Sequence, residues 1–123
     1  MTLLNKEQIL SAPDLKTKDV DVPEWGGTVR VTQITAADRC VLQMLSLDEK
    51  GRPKAPTEIN KMMTIGLCAL AIVDENGNRI FSEQDIEALG KKSPAAMDRV
   101  FEVADDLNGI SAEIAESLKK KSQ

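Results

Sequence analysis

Asp19-Val20-Asp21-Val22, then Pro23-Glu24-Trp25-Gly26-Gly27, then Thr28-Val29-Arg30-Val31-Thr32: this run decides the fold class. Both flanks alternate apolar and polar residues with period two. The centre between them is rich in glycine. Such a pattern is the signature of an antiparallel β-hairpin closed by a loop of several residues. The spacing predicts strands at 20–22 and 28–33, with Val20, Val22, Val29 and Val31 on one apolar face.

Beyond the hairpin the period changes. Thr35-Ala36-Ala37-Asp38 is a capping-box variant, in which the Thr hydroxyl and a carboxylate three residues on can satisfy free N–H groups. The helix it starts runs through Leu42 and Leu45 to about Leu47, where the charged, Gly- and Pro-broken stretch 48–54 becomes a solvated loop. Pro56 and Thr57 open the strongest helix, reaching about Val73. Its Ile59, Met62, Met63, Gly66, Leu67 and Leu70 fall on one face. From Met62 it is apolar nearly all round, so it is expected at the centre, with Gly66 admitting a close helix crossing. A turn at 74–78 follows, with a short strand expected at Arg79-Ile80-Phe81. Ser82-Glu83-Gln84-Asp85 then caps a brief helix ended by Gly90. Ser93-Pro94 starts another helix, continued by Val100, Val103, Leu107, Ile110, Ile114 and Leu118. Asn108-Gly109 interrupts that series, and Ser111 can recap a last helix. Upstream, residues 5–12 form a short helical segment stopped by Pro13. The expectation is one mainly helical α+β domain over 1–123. It has about five helices, a hairpin over about 19–33 and a helical body over about 35–121.

Composition narrows the chemistry. The chain of 123 residues has no histidine, which removes His-based triads, proton shuttles and metal ligands. Cys40 and Cys68 stand alone in helix-like stretches and are expected to be buried and reduced. A net charge of −4 and only three aromatic residues offer neither a basic face nor a stacking platform, so nucleic acid is not expected as a partner. The first ten residues lack the pattern of a signal peptide, and the longest apolar stretch, 62–73, is too short to cross a bilayer. A soluble, cytoplasmic protein is the expectation.

Three segments invite a functional reading. Residues 74–85 place Asp74, Asn76, Asn78 and Ser82 at oxygen positions of a calcium loop. However, Arg79 sits where that loop needs glycine, and Asp85 replaces the long bidentate Glu. A turn followed by a capped helix accounts for the same residues, and no metal ion is expected. Trp25 either anchors an interface or folds over the hairpin to close the core, and folding over the hairpin is the favoured reading. The series Leu107, Ile110, Ile114, Leu118 suits a partner-binding helix or packing within the domain. Acidic pairs such as Asp105-Asp106 and Asp19/Asp21 read as solvated, since adjacent helical residues do not face one another. With no phosphate loop, nucleophile elbow or ligand cluster, no catalytic residue and no cofactor are expected.

The string Val22-Pro23-Glu24-Trp25-Gly26-Gly27-Thr28-Val29-Arg30-Val31, with Thr35-Ala36-Ala37-Asp38-Arg39 after it, resembles the N-terminal region of tail assembly chaperones of long-tailed bacteriophages and prophage elements. Asp38 stands where that pattern usually has Glu, and either carboxylate can cap. Val73-Asp74-Glu75-Asn76-Gly77, Phe81-Ser82, Ile86 to Leu89, Lys92-Ser93, Asp98-Arg99 and Leu107 to Ser111 match its second half. The resemblance covers most of residues 4–111.

The resemblance implies a non-catalytic protein of the bacterial host cytoplasm, absent from the finished virion. It would bind the helical tape measure protein, keep it soluble and help recruit tail tube subunits. It also implies self-association and, for many such genes, a longer frameshifted product; Lys119-Lys120-Lys121 could be encoded by a slippery A-rich run. Expected contacts are Trp25, Val29 and Val31 of the hairpin, and Leu107, Ile110, Ile114 and Leu118. A methionine-rich helical body suits adaptable contacts with a protein client. The competing reading is a structural minor tail or connector protein of the virion.

Overall fold

Pro23 at the first position and Gly26 at the end confine the hairpin turn to a single 3₁₀ turn over Pro23–Trp25. Gly26 adopts φ 73°, which side chains resist, and its N–H closes the turn on the Pro23 carbonyl. In a computed structural model that describes residues 2–112, this turn joins β1 (Thr17–Val22) to β2 (Gly27–Thr32) in register, Val20 opposite Val29. Strand β1 begins three residues before the alternation indicates, while β2 keeps the expected six residues, shifted by one toward the turn. On the inner face Val22 and Val31 are fully buried, while Val20 and Val29 are half-covered and pack at the margin. On the outer face the cross-strand partners are polar. The Arg30 guanidinium binds both oxygens of Asp19 at 2.8 and 3.2 Å, and the Thr28 hydroxyl donates to Asp21 at 2.9 Å.

Helices α1 (Lys6–Ser11) and α2 (Ala36–Leu45) flank the hairpin in sequence. The Thr35 hydroxyl accepts the Asp38 N–H, but the Asp38 carboxylate turns to Arg79 at 3.5 Å, so the expected box is half made. Helix α2 stops at Leu45 rather than Leu47, because Leu47 leaves to bridge Pro53 across the loop. Helix α3 (Pro56–Ala71) is central, and all residues from Gly66 to its end are buried. It touches α2, α4 (Ile86–Leu89) and α5 (Pro94–Asn108). Gly66 does admit a close approach: a Cβ there would lie 3.3 Å from Leu42 and 3.4 Å from Leu45 of α2.

Two expectations about this region are corrected. The helix ends at Ala71, and the β-branched pair that follows forms β3 (Ile72–Val73), pairing antiparallel with Val31 and Arg30 of β2. The sheet therefore has three strands in the order β1-β2-β3. Arg79-Ile80-Phe81 forms no strand; after the turn only a single bridge, Arg79 to Val73, returns to the sheet. The caps at Ser82 and Ser93 are as expected. Ser111 is not a cap: the chain re-enters helical conformation at 110–112, and the Asp105 carboxylate takes the Ser111 N–H.

The core lies between the sheet, α5 and α3. Ala96, Val100 and Ala104 present a fully buried stripe of α5, with Met97 beside it. Their small size lets the helix lie close to the inner valines and to Leu67 and Leu70. The outcome is an α+β fold, five α-helices and a small sheet among the described residues.

Candidate functional site

Two contacts hold the hairpin across α5. At the turn, both Glu24 oxygens accept from the Arg99 guanidinium, at 3.0 and 3.1 Å. Glu24's own backbone N–H and then Arg99 hold its carboxyl below the usual carboxylate range. At the open end Asn108 Oδ1 accepts the Ile34 N–H at 2.9 Å, and Gln33 donates to the Leu107 carbonyl at 3.0 Å.

This bracing fixes Trp25 beside α4. Asp85 takes both the N–H and the hydroxyl of Ser82, which sets the start of that short helix. Between them opens an apolar groove of about 230 Å³, walled by Trp25, Phe81, Ala88 and Leu89 and rimmed by Asp85 and Lys92. The Trp25 ring is half-buried and packs on the core. Its Nε1–H is shut away from solvent and has no hydrogen-bond partner among the described residues. The packing agrees with the reading of Trp25 as closing the core, and the rest of its surface lines the groove.

The other expected contact residues do not join this groove. Val29 is half-buried and Val31 has 0% exposure. Leu107 is half-covered at the opposite end of the hairpin, and Ile110 is 2% exposed, packed in the core. Ile114 and Leu118 lie outside the described residues.

Sequence reasoning missed two features. Ala88 and Leu89 come from a helix too short to show periodicity and Phe81 from the irregular segment before its cap, so the second wall of the groove could not be read. The segment 2–16 lies on the outside of the molecule with every residue exposed, including Leu3, Leu4, Ile9 and Leu10. The capping pair Asn5/Gln8 was available as a signal for α1, but nothing in its pattern distinguishes an uncovered helix from a packed one.

Elsewhere the side chains are occupied with structure. Asp74 accepts the N–H groups of Asn76 and Asn78, and Asp85 caps Ser82, so the calcium-loop positions build a turn and a helix start. Among the described residues no three Cys, Asp or Glu side chains are grouped to hold a metal ion. Cys68 is buried, as expected, and burial pushes its thiol up to about 12. Cys40 is exposed, against expectation. It precedes the buried Leu42 by two positions, which at about 100° per residue places it on the far side of α2.

A family model described as phage tail assembly chaperone matches residues 6–121. Among solved structures, that of the bacteriophage HK97 tail assembly chaperone is similar, with a TM-score of 0.55 and 19% identity. The match covers 82% of this chain and 94% of that one, and at such identity it speaks to the fold. No match is found among curated proteins.

Proposed function

The chain belongs to the phage tail assembly chaperone family, and on that premise we propose that it binds the tape measure protein stoichiometrically. It keeps that long helical client soluble in the host cytoplasm, self-associates while doing so, and brings in tail tube subunits without catalysis. A longer frameshifted form of the same chain is the proposed companion in that last step.

The observation that carries this reading is the family match over nearly the whole chain. The surface supports it physically. A helical client exposes apolar side chains, and this protein leaves Met44 and Ile80 largely uncovered. Among the proposed contacts, Trp25 and Val29 border solvent directly, and Leu107 retains part of its surface.

Co-expression with the adjacent tape measure gene tests the reading. The expected result is recovery of soluble tape measure protein in complex with this chain. Absence of both co-purification and any gain in client solubility overturns it. Recovery of the protein from purified virions in stoichiometric amounts would instead identify a structural tail component.

A further inference from the structure

We infer that the N-terminal arm, residues 2–16, is a self-association element whose apolar helix seats in the Trp25 groove of a second copy of this chain. The inference rests on the self-association proposed above and assigns it two surfaces.

Helix α1 is organised entirely by local bonds. The Asn5 side chain accepts the Gln8 N–H at 2.8 Å, and the Gln8 side chain accepts the Asn5 N–H at 2.9 Å. Leu4 and Ile9 hold the positions just before the cap and four into the helix, where apolar pairs staple a helix entry. Yet no residue of α1 is buried, and Leu3 and Leu10 are 95% and 75% exposed. A six-residue helix is marginal in water by itself, so an element capped this well with nothing to pack on is suited to a surface outside its own fold.

The groove supplies the matching surface. Its walls are apolar, its volume of about 230 Å³ accommodates aliphatic side chains, and nothing in the described chain fills it. The charges at the two surfaces also match. Lys92 at the rim and Glu7 in the first turn of α1 each lack an ion pair among the described residues. Asp85, the acidic rim residue, is already committed to capping Ser82. An arm seated with the Glu7 side of its first turn at the rim meets that uncompensated lysine.

Placement of the two surfaces makes the contact head-to-tail. The arm's root is pinned at the open end of the hairpin, where Lys16 and Gln33 exchange bonds of 2.8 and 2.9 Å. Trp25 lies in the turn at the other end, six paired positions away. At about 3.3 Å per residue the arm leaves the body roughly 20 Å from the groove, and because arm and groove are different surfaces their contact between copies is heterologous.

Light scattering of the full chain over a concentration series tests this, using Leu10→Asp in the arm and Ala88→Arg on the groove wall. Both positions are exposed, so unchanged circular dichroism and melting temperature are expected for each. The wild-type mass is expected to rise with concentration, while each variant stays a monomer. An equimolar mixture of the two variants is expected to form a dimer and stop there, because only the arm of the Ala88→Arg copy and the groove of the Leu10→Asp copy remain intact. A wild type that stays monomeric, variants that keep the wild-type mass, or a mixture that stays monomeric overturns the inference. Tape measure recovery with Leu10→Asp separates the two readings: recovery by a monomeric variant shows client binding without the arm, and its loss by a monomeric variant makes client binding depend on self-association through the arm. Lost recovery with unchanged mass assigns the arm to the client and overturns this inference.

Discussion

Asn108 serves three backbone groups with one side chain. Its Oδ1 accepts the Ile34 N–H, and its Nδ2 donates to Ala104 at 2.9 Å and Thr32 at 3.4 Å. Asn108→Ala leaves the Ile34 N–H, half-enclosed at the sheet–helix junction, without its partner. The expected cost is about 1–3 kcal/mol by chemical denaturation, the penalty of an unmade buried bond. A loss under about 0.5 kcal/mol would mean that water takes over the site. The orphaned indole N–H of Trp25 points the other way. Trp25→Phe keeps most of the ring contact and removes the unsatisfied donor, so its stability should stay within about 1 kcal/mol of wild type. Trp25→Ala should lose about 3 kcal/mol, the low end for a large aromatic because the ring is half-buried. If Phe proves as costly as Ala in far-ultraviolet dichroism melts, the N–H has a partner after all. At this scale the sequence was legible where partners are close in the chain. Thr35, Ser82 and Ser93 announce their caps within three residues, whereas the Asn108 partners Thr32 and Ile34 lie 76 and 74 residues away.

The elements divide in the same way. The hairpin could be read because its alternation, its Pro and its Gly pair are contiguous. Strand β3 could not, because two residues at the end of an apolar helix carry no period of their own and become a strand only by meeting β2. What holds the hairpin on α5 is partly ionic, and that gives it a pH dependence. Glu24 is held below the usual range by its own N–H and by Arg99, and Asp19 by the hydrogen bond from Arg30. A carboxyl lowered in the folded state binds fewer protons there than when unfolded. Its contribution is therefore complete above about pH 5 and is lost as the pH falls through and below about 4. Arg99→Gln takes away one cause of the Glu24 shift. The variant's stability should accordingly fall less steeply between pH 5 and pH 3 than that of wild type, with a small wild-type advantage at pH 7, small because the pair is partly solvent-exposed, that disappears on the acid side. Parallel acid-side slopes in urea titrations would assign no linkage to this contact.

At the scale of the molecule, apolar residues fall into two separate populations. One is the continuous core of α3, α5 and the inner sheet face; the other comprises the leucines and isoleucine of the arm, Met44 and Ile80, which stay outside that core and largely exposed. Exposed apolar surface of this kind is what contact with another chain would cover. Sequence periodicity reports that a face is apolar but not what covers it, so the helix at 5–12 was legible as an element while its exposure was not. If the two populations are independent, stability and binding should also separate under mutation. Leu70, 2% exposed on α3, supplies core contact alone, and Leu70→Ala should cost about 2–5 kcal/mol. Deleting residues 2–11 removes a capped helix that buries none of its residues. At protein concentrations too low for copies to associate, that deletion should leave unfolding within about 0.5 kcal/mol of wild type, as for surface changes generally. Association would otherwise add its own concentration-dependent stabilisation. A deletion that destabilises the dilute monomer by as much as Leu70→Ala would show that the arm packs on its own body, making it part of the core rather than surface held ready for another chain.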